Sequence, residues 1–213
     1  MVNHINDDYI KLLQSKIRDI NTPPDELKES LQNLGYVLGI KVCAEKLTLS
    51  ASISTPMNAT YTGLIVDPRY ENVIISTKDD YLYFAKGVAN AVGNATMGYI
   101  DFNHVRGNDI YTSPIRSMEL PDILTGKPVG YIIVTKSVIA TGCTAISLAK
   151  KAYEKYMPKG IIIVSAFFSM RGLDELTNEL HNVEIYVGTE SDEIDTNGML
   201  VPGVGNLDIR INM

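Results

Sequence analysis

Tyr131-Ile132-Ile133-Val134, then Ala140-Thr141-Gly142-Cys143-Thr144, then apolar residues at Ala145, Leu148, Ala149, Ala152 and Tyr156: this stretch decides the fold. Its first four residues form the apolar run expected of a parallel strand buried on both faces. The spacing after the loop is that of an amphipathic helix. Between them, Gly142 lets the backbone approach a ligand closely, and the flanking threonine hydroxyls can donate. Amides at a helix start have no intrahelical partner and favour anions, so a phosphate is the natural occupant. An ordinary strand-to-helix turn accounts for the same residues equally well.

The pattern repeats on both sides. Downstream, Gly160–Ala166 is the most apolar strand, Leu173–Leu180 reads as a helix and Val183–Val187 as a last core strand. Upstream, Val73–Ser76 reads as a strand, Tyr81–Val92 as a helix and Met97–Phe102 as another strand. Asn103–Ser117 is a polar loop or projecting hairpin, the kind of segment that often carries function. Alternating strands and helices imply an α/β fold with a parallel sheet, flanking helices and right-handed crossovers. Leu47–Thr62, rich in Ser and Thr, reads as an extended segment or edge strand, because Pro56 excludes a central one.

The first 46 residues are mostly helical. Tyr9, Ile10, Leu12, Leu13 and Ile17 form one apolar stripe, and Asn21–Glu26 with its two prolines marks a new helix start. Leu27, Leu31, Leu34, Val37, Leu38 and Val42 form a second stripe. Gly35 and Gly39 are costly inside a helix and point to close packing. This helical region is expected as a cap, an arm or a dimer surface, within a single domain spanning residues 1–213.

Composition narrows the function classes. A net charge of −6 without a long basic run argues against nucleic acid or an anionic membrane as the main partner. Cys43 and Cys143 form neither a CxxC pair nor a zinc pattern, which excludes a disulfide framework. Met1–Asp8 is polar, without the apolar core of a signal peptide, and no apolar run has the length of a bilayer span. The expectation is a cytoplasmic protein.

Open α/β sheets bind ligands beyond the carboxyl ends of their strands. Three segments fall there: Ser76–Asp80, Lys136–Thr144 and Phe167–Gly172. A fourth candidate is the C-terminal stretch Gly198–Asn206, whose glycines and Pro202 fix an irregular backbone able to present amides and carbonyls to a planar ligand. A structured tail packed over the sheet is the plainer explanation of that stretch.

These pieces resemble the uracil phosphoribosyltransferases, among the type I phosphoribosyltransferases. Ile139–Thr144 is similar to the family's phosphoribosyl-binding loop, D-P-M-L-A-T-G-G-S. Asn197–Gly205 is similar to its uracil loop, G-Y-I-V-P-G-L-G, and Val183-Glu184-Ile185-Tyr186 to the V-E-I-Y strand before it. Leu34-Gly35 and Thr55-Pro56-Met57 stand where the family has E-L-G and T-P-L. The resemblance implies a type I phosphoribosyltransferase-like fold with a C-terminal hood loop. It implies a 5′-phosphate on Ala140, Thr141, Gly142, Cys143 and Thr144, and uracil held by backbone groups of Leu200, Gly205 and Leu207. It further implies Mg²⁺ with phosphoribosyl diphosphate, UMP and diphosphate as products, and a homodimer. Catalysis of this type rests on positioning and on neutralising the leaving group.

The chain departs from the pattern at the charged positions. Lys136 replaces the acid that holds the ribose hydroxyls, and a lysine cannot accept their hydrogen bonds. Ser76–Tyr81 replaces P-I-L-R-A-G, putting Asp79 where an arginine would clasp diphosphate. Gly205-Asn206 replaces G-D, and Asn103–Arg106 replaces the segment reading Y-R-D. Lys136, Arg106 and Asn206 are the candidates for catalytic groups, with Lys78 a further cation that could neutralise diphosphate. Asp79-Asp80 is a magnesium pair or, more commonly for such a sequence, a solvated loop. His4, His104 and His181 show no metal spacing, and only His104 falls in a site loop. Cys143 sits at a helix start, where a thiolate is favoured, but reads as a spacer. Two functions follow: a divergent phosphoribosyltransferase, or a silent paralogue that retains a nucleotide pocket as a sensor or partner subunit.

Overall fold

The computed structural model describes residues 1–93, 95–105 and 107–213. The chain opens with strand β1 (Val2–His4), then α1 (Asp8–Arg18) and α2 (Pro24–Val42), which ends in a π-turn at Cys43–Leu47. A hairpin of β2 (Thr48–Ser54) and β3 (Thr60–Val66) follows. β4 (Glu71–Thr77) passes directly into α3 (Lys78–Asp80), a π-turn at Tyr81–Ala85 and α4 (Lys86–Val92). β5 (Ala95–Asp101) is joined by a 3-10 turn at Gly107–Tyr111 to β6 (Ser117–Glu119). The central unit is β7 (Val129–Thr135), β8 (Val138–Ile139) and α5 (Cys143–Tyr156). β9 (Gly160–Ser165), β10 (Phe167–Phe168), α6 (Met170–Glu179) and β11 (Val183–Val187) repeat that arrangement. β12 (Glu193–Ile194), β13 (Leu200–Val201) and α7 (Leu207–Asn212) complete it.

The main sheet has the order β1-β11-β9-β7-β4-β5-β6. Its pairings are parallel except for β5 with β6. The α/β fold expected from the strand–helix alternation is therefore present, with β7 near its centre. Strand residues divide between the two faces by parity, as the pleat requires. Ile74, Ile133, Ile162 and Val164 join the core formed with α1, α2 and α4. Val73, Ile75, Ile132, Val134, Ile161 and Ile163 join the one formed with α5 and α6. Each such buried side chain contributes about 1.5–3 kcal/mol through its removal from water.

Of cap, arm or dimer surface, the N-terminal helices form a cap. Ile10, Leu13 and Ile17 of α1 and Leu27, Leu31, Leu34 and Leu38 of α2 are buried on the sheet. β1 was not legible in the polar opening of the chain. It adds an edge strand because its backbone pairs with β11, which asks little of its side chains. Leu47–Thr62 also differs from the edge strand expected. β2 and β3 form an antiparallel pair outside the main sheet, and Thr55-Pro56-Met57 lies in their turn.

The glycines of α2 act as the packing residues their position suggested. A Cβ on Gly35 would stand 2.2 Å from the Phe84 carbonyl oxygen, and one on Gly39 would stand 2.8 Å from the Ala91 Cβ. The contact is reciprocal, since a Cβ on Gly87 would stand 2.0 Å from the Gln32 carbonyl oxygen. The helices thus approach backbone to backbone, with no flexible side chain to move aside. Gly87→Ala should destabilise the protein by about 1–3 kcal/mol through overpacking, despite alanine's better helix propensity. Urea denaturation would measure it, and a neutral or stabilising result would contradict this packing.

Candidate functional site

Three of the four candidate segments meet in one cavity of about 300 Å³. Its floor is the carboxyl ends of β4, β5 and β7, contributing Thr77, Asp101 and the Lys136–Ser137 corner. The loop before α5 makes one wall, with Ala140, Thr141, Gly142 and Thr144. The C-terminal segment faces it, with Leu200, Gly205 and Leu207 lining the opposite side. The fourth segment, Phe167–Gly172, braces the first wall from behind. Ser169 Oγ donates to the Ala140 carbonyl at 2.6 Å and accepts from Gly172 N–H at 2.9 Å.

The geometry of the loop before α5 follows from Gly142. Its φ of +80° places it in the left-handed region, and a Cβ there would stand 2.8 Å from the Gly172 carbonyl oxygen. Glycine is required on both counts. The first helical bond of α5 runs from Ile146 N–H to Gly142 O at 3.0 Å, so the amides just before Ile146 are the unpaired donors of a helix start. Among the described residues, the Thr144 hydroxyl has no protein partner in the hydrogen bonds of the structure. Cys143 departs from its expected grouping. It is buried, and it faces a second, more open cavity with Tyr111 and Arg171 instead of the main one. Its thiol lies 3.4 Å from the Thr141 hydroxyl and donates to Asn108 Oδ1 at 3.3 Å.

The opposite wall is an irregular backbone. Val201–Pro202 is a cis peptide, and Gly203 and Gly205 both have positive φ. A Cβ on Gly203 would lie 2.1 Å from the Leu200 carbonyl oxygen, so the turn closes only around glycine. Asn206 is engaged in helix capping. Its side chain caps α7, accepting from Ile209 N–H at 3.3 Å, and it does not line the cavity. Arg106 lies outside the described residues.

The charges on the floor are mutually engaged. Lys136 Nζ meets Asp80 Oδ2 at 2.6 Å, and Thr77 Oγ1 donates to the same oxygen at 3.1 Å. Lys78 lies 3.6 Å from Asp101. Every lysine that lines the cavity is therefore held by a carboxylate of the chain. Asp80 is 7% exposed, which corrects the solvated loop expected for Asp79-Asp80. The first turn of the helix after β4 tucks Asp80 under the sheet end, where an unpaired carboxylate would be costly and Lys136 compensates it.

Asp79 faces another way. Its carboxylate lies 3.8 Å from His104 Nδ1, and one donor atom each from Asp79, His104 and Asp208 lie within 4.8 Å of one another. Consecutive left-handed residues, Asn103 (φ 55°) and His104 (φ 61°), carry the largely exposed imidazole to the rim of the cavity, which no spacing in the sequence could reveal. Two carboxylates and an imidazole could hold a divalent ion. The expected magnesium diphosphate fits less well. Lys136 stands where an acid is expected to hold the ribose hydroxyls, and Asp79 presents negative charge where a cation is expected. Burial first, and then the nearby Asp208 carboxylate, hold the Asp79 carboxyl above the usual carboxylate range.

The parallel sheet, the glycine-bent loop and helix start at one strand end, and the irregular C-terminal hood facing them agree with the type I phosphoribosyltransferase-like fold that the sequence resemblance implies. Comparison with known proteins gives the branch. A sequence model described as uracil phosphoribosyltransferase matches residues 4–211, and the chain belongs to that family. The uracil phosphoribosyltransferase of Metamycoplasma hominis is 25% identical over 212 residues, covering 99% of this chain and 97% of that protein. That of Pyrococcus furiosus is 24% identical, covering 93% of this chain and 83% of its own length. The solved structure of the AQ2163 protein from Aquifex aeolicus superposes with a TM-score of 0.80 at 22% identity, covering 99% of this chain and 97% of that one, and shares the fold. Among the described residues, no helix is long and apolar enough to cross a membrane.

The raised Asp79 carboxyl has a signed consequence. A carboxyl whose folded value exceeds its unfolded one penalises the fold once pH is above both, and the penalty fades as pH falls through the folded value. Asp79→Asn should therefore raise the melting temperature at pH 7, with the gain vanishing below the carboxylate range. Thermal melts across pH measure it, and a loss of stability at pH 7 would show that Asp79 is net stabilising.

Proposed function

We propose that this member of the uracil phosphoribosyltransferase family binds a pyrimidine nucleoside monophosphate and is a poor catalyst of transfer from phosphoribosyl diphosphate. The phosphate lies on Ala140, Thr141, Gly142 and Thr144, and the base lies against Leu200, Gly205 and Leu207. The observation that carries this reading is the Lys136–Asp80 pair at 2.6 Å. A cation already committed to a nearly buried carboxylate is not available to a leaving diphosphate, because withdrawing it would strand Asp80. Lys78 is engaged more loosely, 3.6 Å from Asp101 with its own side chain about half exposed. Asp79 adds repulsion where diphosphate would accumulate charge. The wall that receives a planar base and the loop that receives one phosphate need none of these charges. That asymmetry favours a sensor or partner-subunit role over turnover of uracil to UMP.

Calorimetric titration separates the alternatives. UMP is expected to bind, and phosphoribosyl diphosphate with Mg²⁺ to bind weakly or not at all. Thr141→Ala should weaken UMP by about 1 kcal/mol, the worth of one hydrogen bond. Tight magnesium-dependent binding of phosphoribosyl diphosphate with uracil turnover would establish the enzyme reading instead.

The reading includes a homodimer acting in the cytoplasm. Most of the apolar face of α1 and α2 is buried on the sheet, and the β2–β3 hairpin carries the more exposed apolar side chains. Met57, Tyr61 and Leu64 of that hairpin are 86%, 61% and 68% exposed and supply the surface for self-association. Light scattering should give a dimer mass that falls toward the monomer for Tyr61→Lys/Leu64→Lys, and a wild-type monomer would contradict the assembly.

A further inference from the structure

We infer that Arg18 and Arg210, neither of which lines the cavity, are positioning residues that hold the base-side wall of the site in place. This rests on the reading of that wall as the base receptor.

Regular strand pairing gives the wall little support, although Leu200, Val204 and Ile211 pack into the core. β13 pairs only with the two-residue β12, and the following turn carries left-handed glycines at 203 and 205. Glycines lose more freedom on ordering than other residues, so such a turn needs external restraint. Two guanidinium groups provide it from opposite directions. Arg18, in the last turn of α1, donates to the Gly203 carbonyl at 2.9 Å. It also forms a fork with Asp192, at 2.9 and 2.7 Å. Arg210, on α7, donates to the Val204 carbonyl at 2.7 Å and reaches back to the Ile17 and Asp19 carbonyls, each at 2.6 Å. The carbonyls at the end of α1 have no intrahelical partners, and a cation suits that terminus.

The clamp is anchored at its root. Gln14, one turn before Arg18, donates to the Ala166 carbonyl and accepts from the Thr189 hydroxyl, both at 2.8 Å. The Arg18 guanidinium lies 4.8 Å from the centroid of the buried Phe167 ring. Asp192 is itself 6% exposed, so its pairing is poorly screened by salt. Position therefore passes from the strand ends through α1 to the carbonyls of residues 203 and 204. The phosphate loop lies on the other side of the cavity and is braced by α6, so it does not depend on this chain of contacts.

The test is a pair of affinities. In Arg18→Lys, which keeps the charge but loses the fork, the dissociation constant for UMP should rise at least about tenfold while that for ribose 5-phosphate stays within about twofold. Asp192→Asn should act in the same direction. A thermal melt verifies that each variant is folded. Parallel weakening of both ligands, or no change in either, would overturn the inference. If wild-type protein binds ribose 5-phosphate but not UMP, the base reading fails and the clamp is judged separately. Amide hydrogen exchange at residues 203–205 should then accelerate about tenfold in Arg18→Lys, and unchanged exchange would overturn it.

Discussion

The close approach of α2 to the α3–α4 helical segment is the constraint on which the site depends. Gly35, Gly39 and Gly87 remove the side chains that would hold these helices apart. The segment after β4 can then turn sharply and lie flat against α2. That turn sets the position of Asp79 and Asp80, and it brings Leu31 and Phe84 to the cavity wall.

The floor of the site follows from this placement. A nearly buried carboxylate requires a partner, and the strand end opposite supplies Lys136. The pair makes the floor locally neutral, and a looser, more exposed contact joins Lys78 of α3 to Asp101 of β5. Charge that a diphosphate site would direct outward is thus turned inward, toward stability of the fold. The two walls remain free of this constraint, because one works through amides at a helix start and the other through a bent backbone. In the proposed reading, binding and transfer draw on residues from different elements.

The sheet was legible in the sequence because apolar runs such as Ile161–Val164 leave few alternatives. The two walls were legible because glycine at 142, 203 and 205 marks backbone that other residues resist. What escaped was relational. β1 pairs through backbone groups that its side chains do not advertise. His104 reaches Asp79 only through a left-handed turn, and Asp80 is buried at the sheet end, where Thr77 and Lys136 meet it. Asn206 looked like a reacting group because a capping side chain and a site side chain share the same chemistry. Cys143 fell within the right loop, but α5 turns it to the other side.

The contacts between α1 and the hood span nearly the whole chain: Arg18 and the Gly203 carbonyl are 185 residues apart, Arg210 and the Ile17 carbonyl 193. Contacts of such separation carry the largest loop-closure cost and form only when both ends are available. During synthesis, the Ile17 carbonyl therefore emerges long before Arg210 can answer it, although Thr22 answers the neighbouring carbonyls of Lys16 and Asp19 at once. The sheet can assemble before Arg210 emerges, but the pocket cannot. A chain cut short by its last few residues would retain most of its core and lack one wall of its site.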